Sequence, residues 1–377
     1  MKKLFAVLMA VLMVFTLAGC GSDNKTDDTT NNETGATKTV YIMGPTPDHG
    51  WTAQAGTYAN QKADEITAAG QYKGVYMAAS SGEQQVDQCN QIVANGDAAI
   101  VVMMPLEDSA AAGQEALYAA GIPFISFDRI IESTEKYAAL NTSGDNWAVG
   151  AGIAYWLQKN GMKPGDTVVV LYGDNGTVCS RRQEGFEQFL QGNRKYEDEK
   201  LGTFETSEVW TAEQTKAVFD GYHVVCDWSA DKATEYLDQK LGEIIDAATA
   251  NGGNLYIYSM DDEMTFGVLT TLQTKITGSD YEAKAEALNI YCSAIGGMQE
   301  LYDVMSGKDA ERSAVCDKYF EDIMSMYFSP KMMKDVIDKG LDYVNGNWSY
   351  NTGDGYYTPV FMVGKDAAAT TEGFTGH

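Results

Sequence analysis

Phe124-Ile-Ser-Phe-Asp-Arg129 is the stretch on which the fold turns. Residues 122–127 read as a buried strand, and the end of that strand carries an acid beside a guanidinium. A carboxylate accepts hydrogen bonds from hydroxyls, and a planar guanidinium donates to ring or hydroxyl oxygens. Asp128 and Arg129 therefore form a grip suited to a polyol. In open α/β sheets ligands sit outside the carboxyl ends of the strands, which is where this pair falls. The same pair also suits a surface ion pair ending a strand, so the flanking sequence has to decide.

Upstream, residues 39–44, 72–78 and 98–104 are short apolar runs that predict strands. Residues 52–69, 81–94 and 109–120 place apolar side chains at helical spacing, with Gly96 and Gly121 as stop signals. Strands alternating with helices predict a parallel sheet covered on both faces. The alternation restarts near residue 145. Helices are predicted over 145–159, 181–190, 232–250, 264–274 and 296–306, and strands over 167–172, 255–259 and 287–293. Residues 193–231 carry a weak signal, with 201–209 extended or irregular, as in an insertion. Residues 319–327 read as short and mixed, 330–344 as one helix and 356–363 as a final strand. The predicted class is α/β, with two similar lobes. One comprises 39–144 plus 326–355, the other 145–325 plus 356–370.

The 377-residue chain carries 27 Lys+Arg against 53 Asp+Glu, a formal net charge of −26. Binders of nucleic acid display basic patches, so this balance argues against nucleic acid and against anionic membrane surfaces. It fits a surface kept monomeric by its charge. Lys2 and Lys3 precede an apolar run, residues 4–17, too short for a lasting membrane span. The run ends in Leu17-Ala-Gly-Cys20, which resembles the lipobox of bacterial lipoproteins. That resemblance implies removal of residues 1–19, lipidation of Cys20 and an extracytoplasmic, membrane-anchored protein. Residues 21–38 are small and polar almost throughout and read as a flexible tether. Beyond Cys20 an odd number of cysteines remains: Cys89, Cys179, Cys226, Cys292 and Cys316. Cys292–Cys316 could pair, or all could be buried thiols. No CxxC or Cys/His spacing is present, so no metal or cofactor is expected.

Four further stretches carry a family resemblance. Phe127-Asp-Arg-Ile-Ile131 is followed by Asn141-Thr-Ser-Gly-Asp-Asn146 and Gly150. Arg181-Arg-Gln-Glu-Gly-Phe186, Tyr258-Ser-Met-Asp-Asp-Glu-Met264 with Gly267, and Tyr357-Thr-Pro-Val360 come after them in order. Together these resemble the sugar-binding proteins of bacterial ABC importers, of the ribose/galactose/xylose type, over most of residues 39–367. Asp128-Arg-Ile-Ile131, Asp227-Trp228 and the long insertion are similar to the broad-specificity pentose and hexose binders. The resemblance implies two Rossmann-like lobes joined by three crossovers, a monosaccharide in the cleft between them and hinge closure on binding. It also implies permease subunits as partners, and no catalysis.

Pyranose faces stack on aromatic rings while edge hydroxyls need polar partners. By the resemblance Trp51 is the stacking ring of the first lobe and Asp48 a polar contact; from the residues alone they are equally a core side chain and a helix N-cap. Asp128 and Arg129 are the central pair. Asp145 or Asn146 opens a crossover helix. Arg181 corresponds to the guanidinium of the second lobe, with Arg182 one place away as its rival. Trp228 resembles a second stacking ring, and Trp210 rivals it within the insertion. Asp261 stands where the family has Asn, which removes a donor and leaves only acceptors. Asp262 reads as structural, at a helix start. Cys292-Ser-Ala-Ile295 lacks the Asp the family places there, leaving Ser293 as a substitute, and a late polar contact falls near Tyr327.

A sensor that passes ligand occupancy to a chemoreceptor would use the same surfaces and remains a second reading. An extracellular sugar hydrolase is the third. Hydrolysis needs two carboxylates, one with a raised pKa. Asp128 and Asp261 are the available pair, but Arg129 beside Asp128 is expected to lower its pKa. GxSxG, HExxH and Walker A patterns are absent, and Gly173-Asp-Asn-Gly176 reads as a turn.

Overall fold

The computed structural model describes residues 37–46 and 50–376. The expectations for the signal segment, Cys20, the tether and Asp48 lie outside the described residues. Strands are numbered in chain order: β1 Thr39–Pro45, β2 Lys73–Ala79, β3 Ala98–Met103, β4 Phe124–Phe127, β5 Leu140–Gly144, β6 Thr167–Tyr172, β7 Tyr196–Asp198, β8 Gly202–Phe204, β9 Tyr222–Val225, β10 Asn254–Ser259, β11 Asn289–Gly296, β12 Phe320–Tyr327, β13 Gly355–Thr358 and β14 Phe361–Gly364. They form two six-stranded sheets, ordered β13-β5-β4-β3-β1-β2 and β14-β12-β11-β10-β6-β9, plus the β7-β8 hairpin. All pairings in the two large sheets are parallel except β12 with β14. The fold is α/β, with two parallel-dominated sheets.

The apolar runs become central strands because parallel sheets are covered on both faces. β1, β4 and all but the last residue of β6 are buried throughout. Successive side chains point to opposite faces, so Val40 and Ile42 join one core cluster while Tyr41 and Met43 join another. Four of the connecting helices position the site: α1 Gly50–Ala69 after β1, α2 Gly82–Asn95 after β2, α3 Ala111–Ala119 after β3 and α4 Asn146–Lys159 after β5. In the second half α5 Thr177–Leu190, α6 Ala212–Asp220, α7 Ala230–Ala250 and α8 Asp262–Thr271 follow.

The chain passes from one sheet to the other between β5 and α4, between β12 and the helix Met332–Val344, and between β13 and β14. These passages lie against one another. The Asp145 amide donates to the Thr358 carbonyl at 3.0 Å, and a Cβ on Gly144 would lie 2.1 Å from the Phe328 ring. Asp198, on the β7-β8 hairpin, accepts from the Met362 amide at 2.8 Å and so ties the insertion to the last passage.

Several expectations are corrected. The predicted strand 356–363 is two strands in different sheets, broken at Pro359, which cannot donate to a ladder. The last passage therefore lies later than the expected break after 355, and β12 carries the second sheet past 325. Residues 320–327, read as mixed, are one strand inside the second sheet. The weak stretch 193–231 holds the hairpin, α6 and edge strand β9. The predicted helix 181–190 begins earlier, at Thr177. Cys292 and Cys316 are both free and buried, as are Cys89, Cys179 and Cys226.

Candidate functional site

The carboxyl ends of the two sheets face each other across a partly open cavity. One side is built from Trp51 and Thr52 at the start of α1, Met104 after β3, and Asp128 and Arg129 after β4. The other side is built from Val178 and Arg182 on α5, Trp228 before α7, Asp261 and Glu263 at the start of α8, Ile295 and Gly296 at the end of β11, and Phe328 after β12. The two sides approach closely: a Cβ on Gly50 would lie 2.9 Å from Glu263 Oε1.

Local backbone geometry aims the polar groups. Asp128 takes φ 64°, and Asp227 and Trp228 take φ 47° and 59°. These left-handed conformations are uncommon outside glycine and cost about 1–3 kcal/mol each, which tertiary contacts must offset. Asp128 is held by its amide, which donates to the Thr142 carbonyl at 2.8 Å. The Trp228 ring lies so close over Gly173 that a Cβ there would meet ring atoms at 2.3 Å. Asp261 caps α8, accepting from the Glu263 amide at 2.7 Å.

The guanidiniums are already engaged by protein. Arg129 donates to the Leu106 carbonyl and pairs with Asp174, Nη2 to Oδ2 at 2.9 Å. The same Asp174 oxygen accepts from Trp228 Nε1 at 3.0 Å. Asp174 thus ties the β4 end to the opposite side of the cavity. Arg182 Nε donates to Asn146 Oδ1 at 2.9 Å and Nη1 to the Met260 carbonyl at 2.5 Å. Its guanidinium lies 5.0 Å from the Phe328 ring centre and 5.6 Å from that of Trp228, within cation–π range of both. Trp51 Nε1 donates to the Phe328 carbonyl at 2.7 Å.

Burial raises the Asp128 carboxyl above its ordinary range. Arg129 and Arg182 pull it down, but by less. This corrects the expectation of a lowered pKa: beside Arg129, desolvation outweighs the charge. Burial also pushes Asp261 well up, with Asp262 adding to the shift. Asp262 is raised to about 6 by burial, although the Met298 amide, Ser325 and the Gly297 amide all bond to it. Its oxygens brace the turn after β11, the structural part expected of it.

Of the expected site residues, the structure brings Trp51, Asp128, Arg129, Trp228 and Asp261 together. Others fall elsewhere. Asp145 caps α4, accepting from the Ala148 amide, and lines a separate hollow beside the hinge. Asn146 is buried behind Arg182. Arg181 lies over the Trp147 ring, 4.6 Å from its centre, and Arg182 enters the cavity instead. With α5 beginning at Thr177, Val178 and Arg182 fall four residues apart on one face. Tyr327 stacks on Phe361 at 4.5 Å, and Phe328 next to it turns inward. Ser293 is buried and bonds the Ile257 carbonyl, while Trp210 is core. Sequence reasoning missed Thr52, Met104, Val178, Glu263, Ile295, Gly296 and Phe328. Met104 and Ile295 were recoverable as strand-end positions. Asp174 was read only as part of a turn, and its Oδ1 does accept from the Gly176 amide at 2.7 Å.

A model of the periplasmic binding protein domain matches residues 40–288. The chain belongs to this family. Periplasmic binding proteins bind solutes rather than act as enzymes, and they work outside the cytoplasm. No helix of the described residues is long and apolar enough to cross a membrane. No curated protein matches the sequence. Among solved structures, the periplasmic binding protein component of the arabinose ABC transporter from Shewanella sp. ANA-3, bound to L-arabinofuranose, superposes with a TM-score of 0.61. It is 16% identical, over 88% of this chain and 93% of that one. A carbohydrate transporter solute binding protein from Chloroflexus aurantiacus in complex with D-glucose gives a TM-score of 0.63 at 18% identity, covering 88% and 94%. An ABC transporter solute binding protein from Bacillus halodurans C-125 with bound myo-inositol gives 0.61 at 13% identity, covering 88% and 96%. At these identities the likeness is one of fold.

Proposed function

We propose that this chain is the solute-binding component of an ABC importer, that it captures a monosaccharide, pentose or hexose, between its lobes, and that it delivers the sugar to permease subunits. The observation that carries this reading is the make-up of the cavity. Three aromatic rings, Trp51, Trp228 and Phe328, share it with Asp128 and Asp261 from opposite sheets. Rings suit the C–H faces of a sugar and carboxylates suit its hydroxyl edge. The sugars and the cyclitol held by the three structural relatives support the same class of ligand. Asp128 and Asp261 offer acceptors from opposite lobes, so a bound sugar would hold the lobes together. In this reading the protein is not an enzyme, and it is anchored outside the cytoplasm through a lipidated Cys20.

A thermal-shift screen of the mature protein against pentoses, hexoses, disaccharides, nucleosides and amino acids tests it. A ligand at a hundredfold excess over its Kd stabilises the folded state by about 2.7 kcal/mol. A shift with one or a few monosaccharides, lost in Asp128→Ala and Trp51→Ala, is expected. A shift only with nucleosides or amino acids would overturn the sugar assignment.

A further inference from the structure

The polar lining of the cavity is lopsided. Its strongest donors are partly engaged by protein: Arg129 on Leu106 and Asp174, Arg182 through Nε and Nη1 on Asn146 and Met260, and the two indole N–H groups on Phe328 and Asp174. Its carboxylate acceptors are engaged less. Asp128 is 7% exposed, and its carboxylate receives no hydrogen bond from any described residue. The Asp261 carboxylate accepts a single bond from the described residues, from the Glu263 amide.

The charges are unequal too. Arg129 is matched by Asp174. That leaves Arg182 beside three acids of the lining, Asp128, Asp261 and Glu263, with Asp262 next in the chain from Asp261. A neutral sugar supplies hydroxyl donors but does nothing for the uncompensated charge. An ammonium group supplies three donors and a positive charge, and Trp228 and Phe328 already show that their ring faces accept a cation.

We propose that the cavity selects an amino-substituted monosaccharide, its ammonium group held by Asp261 and its hydroxyls by Asp128. This rests on the reading of the cavity as a monosaccharide site. The raised carboxyls agree with it: burial lifts both acids by more than the nearby arginines lower them.

Titration calorimetry of the mature protein at neutral pH tests it with D-glucosamine, D-galactosamine and D-mannosamine, each beside its neutral parent hexose and its N-acetyl derivative. At least one amine is expected to bind tenfold or more tighter than both neutral counterparts. In Asp261→Asn, which keeps the helix cap, that preference falls below about threefold, whatever affinity the parent sugar retains. Asp261→Ser, a second capping residue, serves if the first variant melts early. Neutral hexoses that bind as tightly as the amines would overturn the inference and leave the monosaccharide reading standing. Failure of every sugar to bind would overturn both.

Discussion

At the scale of single residues, Asp128 trades stability for readiness to bind. It sits buried, without a hydrogen-bond donor among the described residues, in a left-handed conformation that Asn also tolerates. Its pKa is raised on folding, so the ionised form costs stability at neutral pH. Asp128→Asn is expected to stabilise the ligand-free protein while weakening solute binding. Urea unfolding and calorimetry check the two halves. Asp262 sets a pH dependence. A carboxyl whose pKa rises on folding favours the folded state below the unfolded value, and that contribution is lost as pH climbs through the folded one. With Asp262 at about 6, the urea midpoint should be higher at pH 5 than at pH 7. A midpoint that falls on acidification between those values would count against the buried acids as the controlling groups.

Among elements, the ones that could be read from sequence were the ones whose burial is uniform. β1, β3 and β6 are continuous apolar runs because helices cover both faces. β12 was obscured because Phe320-Glu-Asp-Ile-Met-Ser-Met-Tyr327 opens with acids that lie at the exposed end of the strand. The insertion was obscured because β7, β8 and β9 are three or four residues long and lie off the centre of the sheets. In the site, Asp128 and Trp51 stood out because strand ends and helix starts are predictable places. Arg182 did not, since a shift in where α5 begins decides which of two adjacent arginines points inward. Phe328 and Asp174 were invisible because their roles depend on the opposite lobe. One element-scale test follows from the turn after β6. Gly173 lies under Trp228, and Gly173→Ala would drive a Cβ into the ring. Ligand affinity should fall at least tenfold, with a changed tryptophan emission and a lowered melting temperature.

For the molecule as a whole, closure depends on contacts that cross the cleft. The Arg129–Asp174 pair is three-quarters buried and shares its oxygen with Trp228. Pairs in this setting contribute on the order of 1 kcal/mol, enough to shift an open–closed equilibrium several-fold. Asp174→Ala is expected to enlarge the radius of gyration of the ligand-free protein in small-angle scattering and to speed ligand release. An unchanged radius would mean the pair does not hold the lobes. The three passages between the sheets lie side by side, packed around Gly144 and Phe328.

The central claim is that a monosaccharide lies between the two sheets. A crystal structure of the protein with the sugar that most raises its melting temperature tests this most directly. The ring should lie among Trp51, Trp228 and Phe328, with a hydrogen bond to Asp128 and a second group on Asp261. A sugar found elsewhere, such as the hollow beside the hinge lined by Asp145, Lys195 and Glu199, with the cavity holding only water, would contradict it.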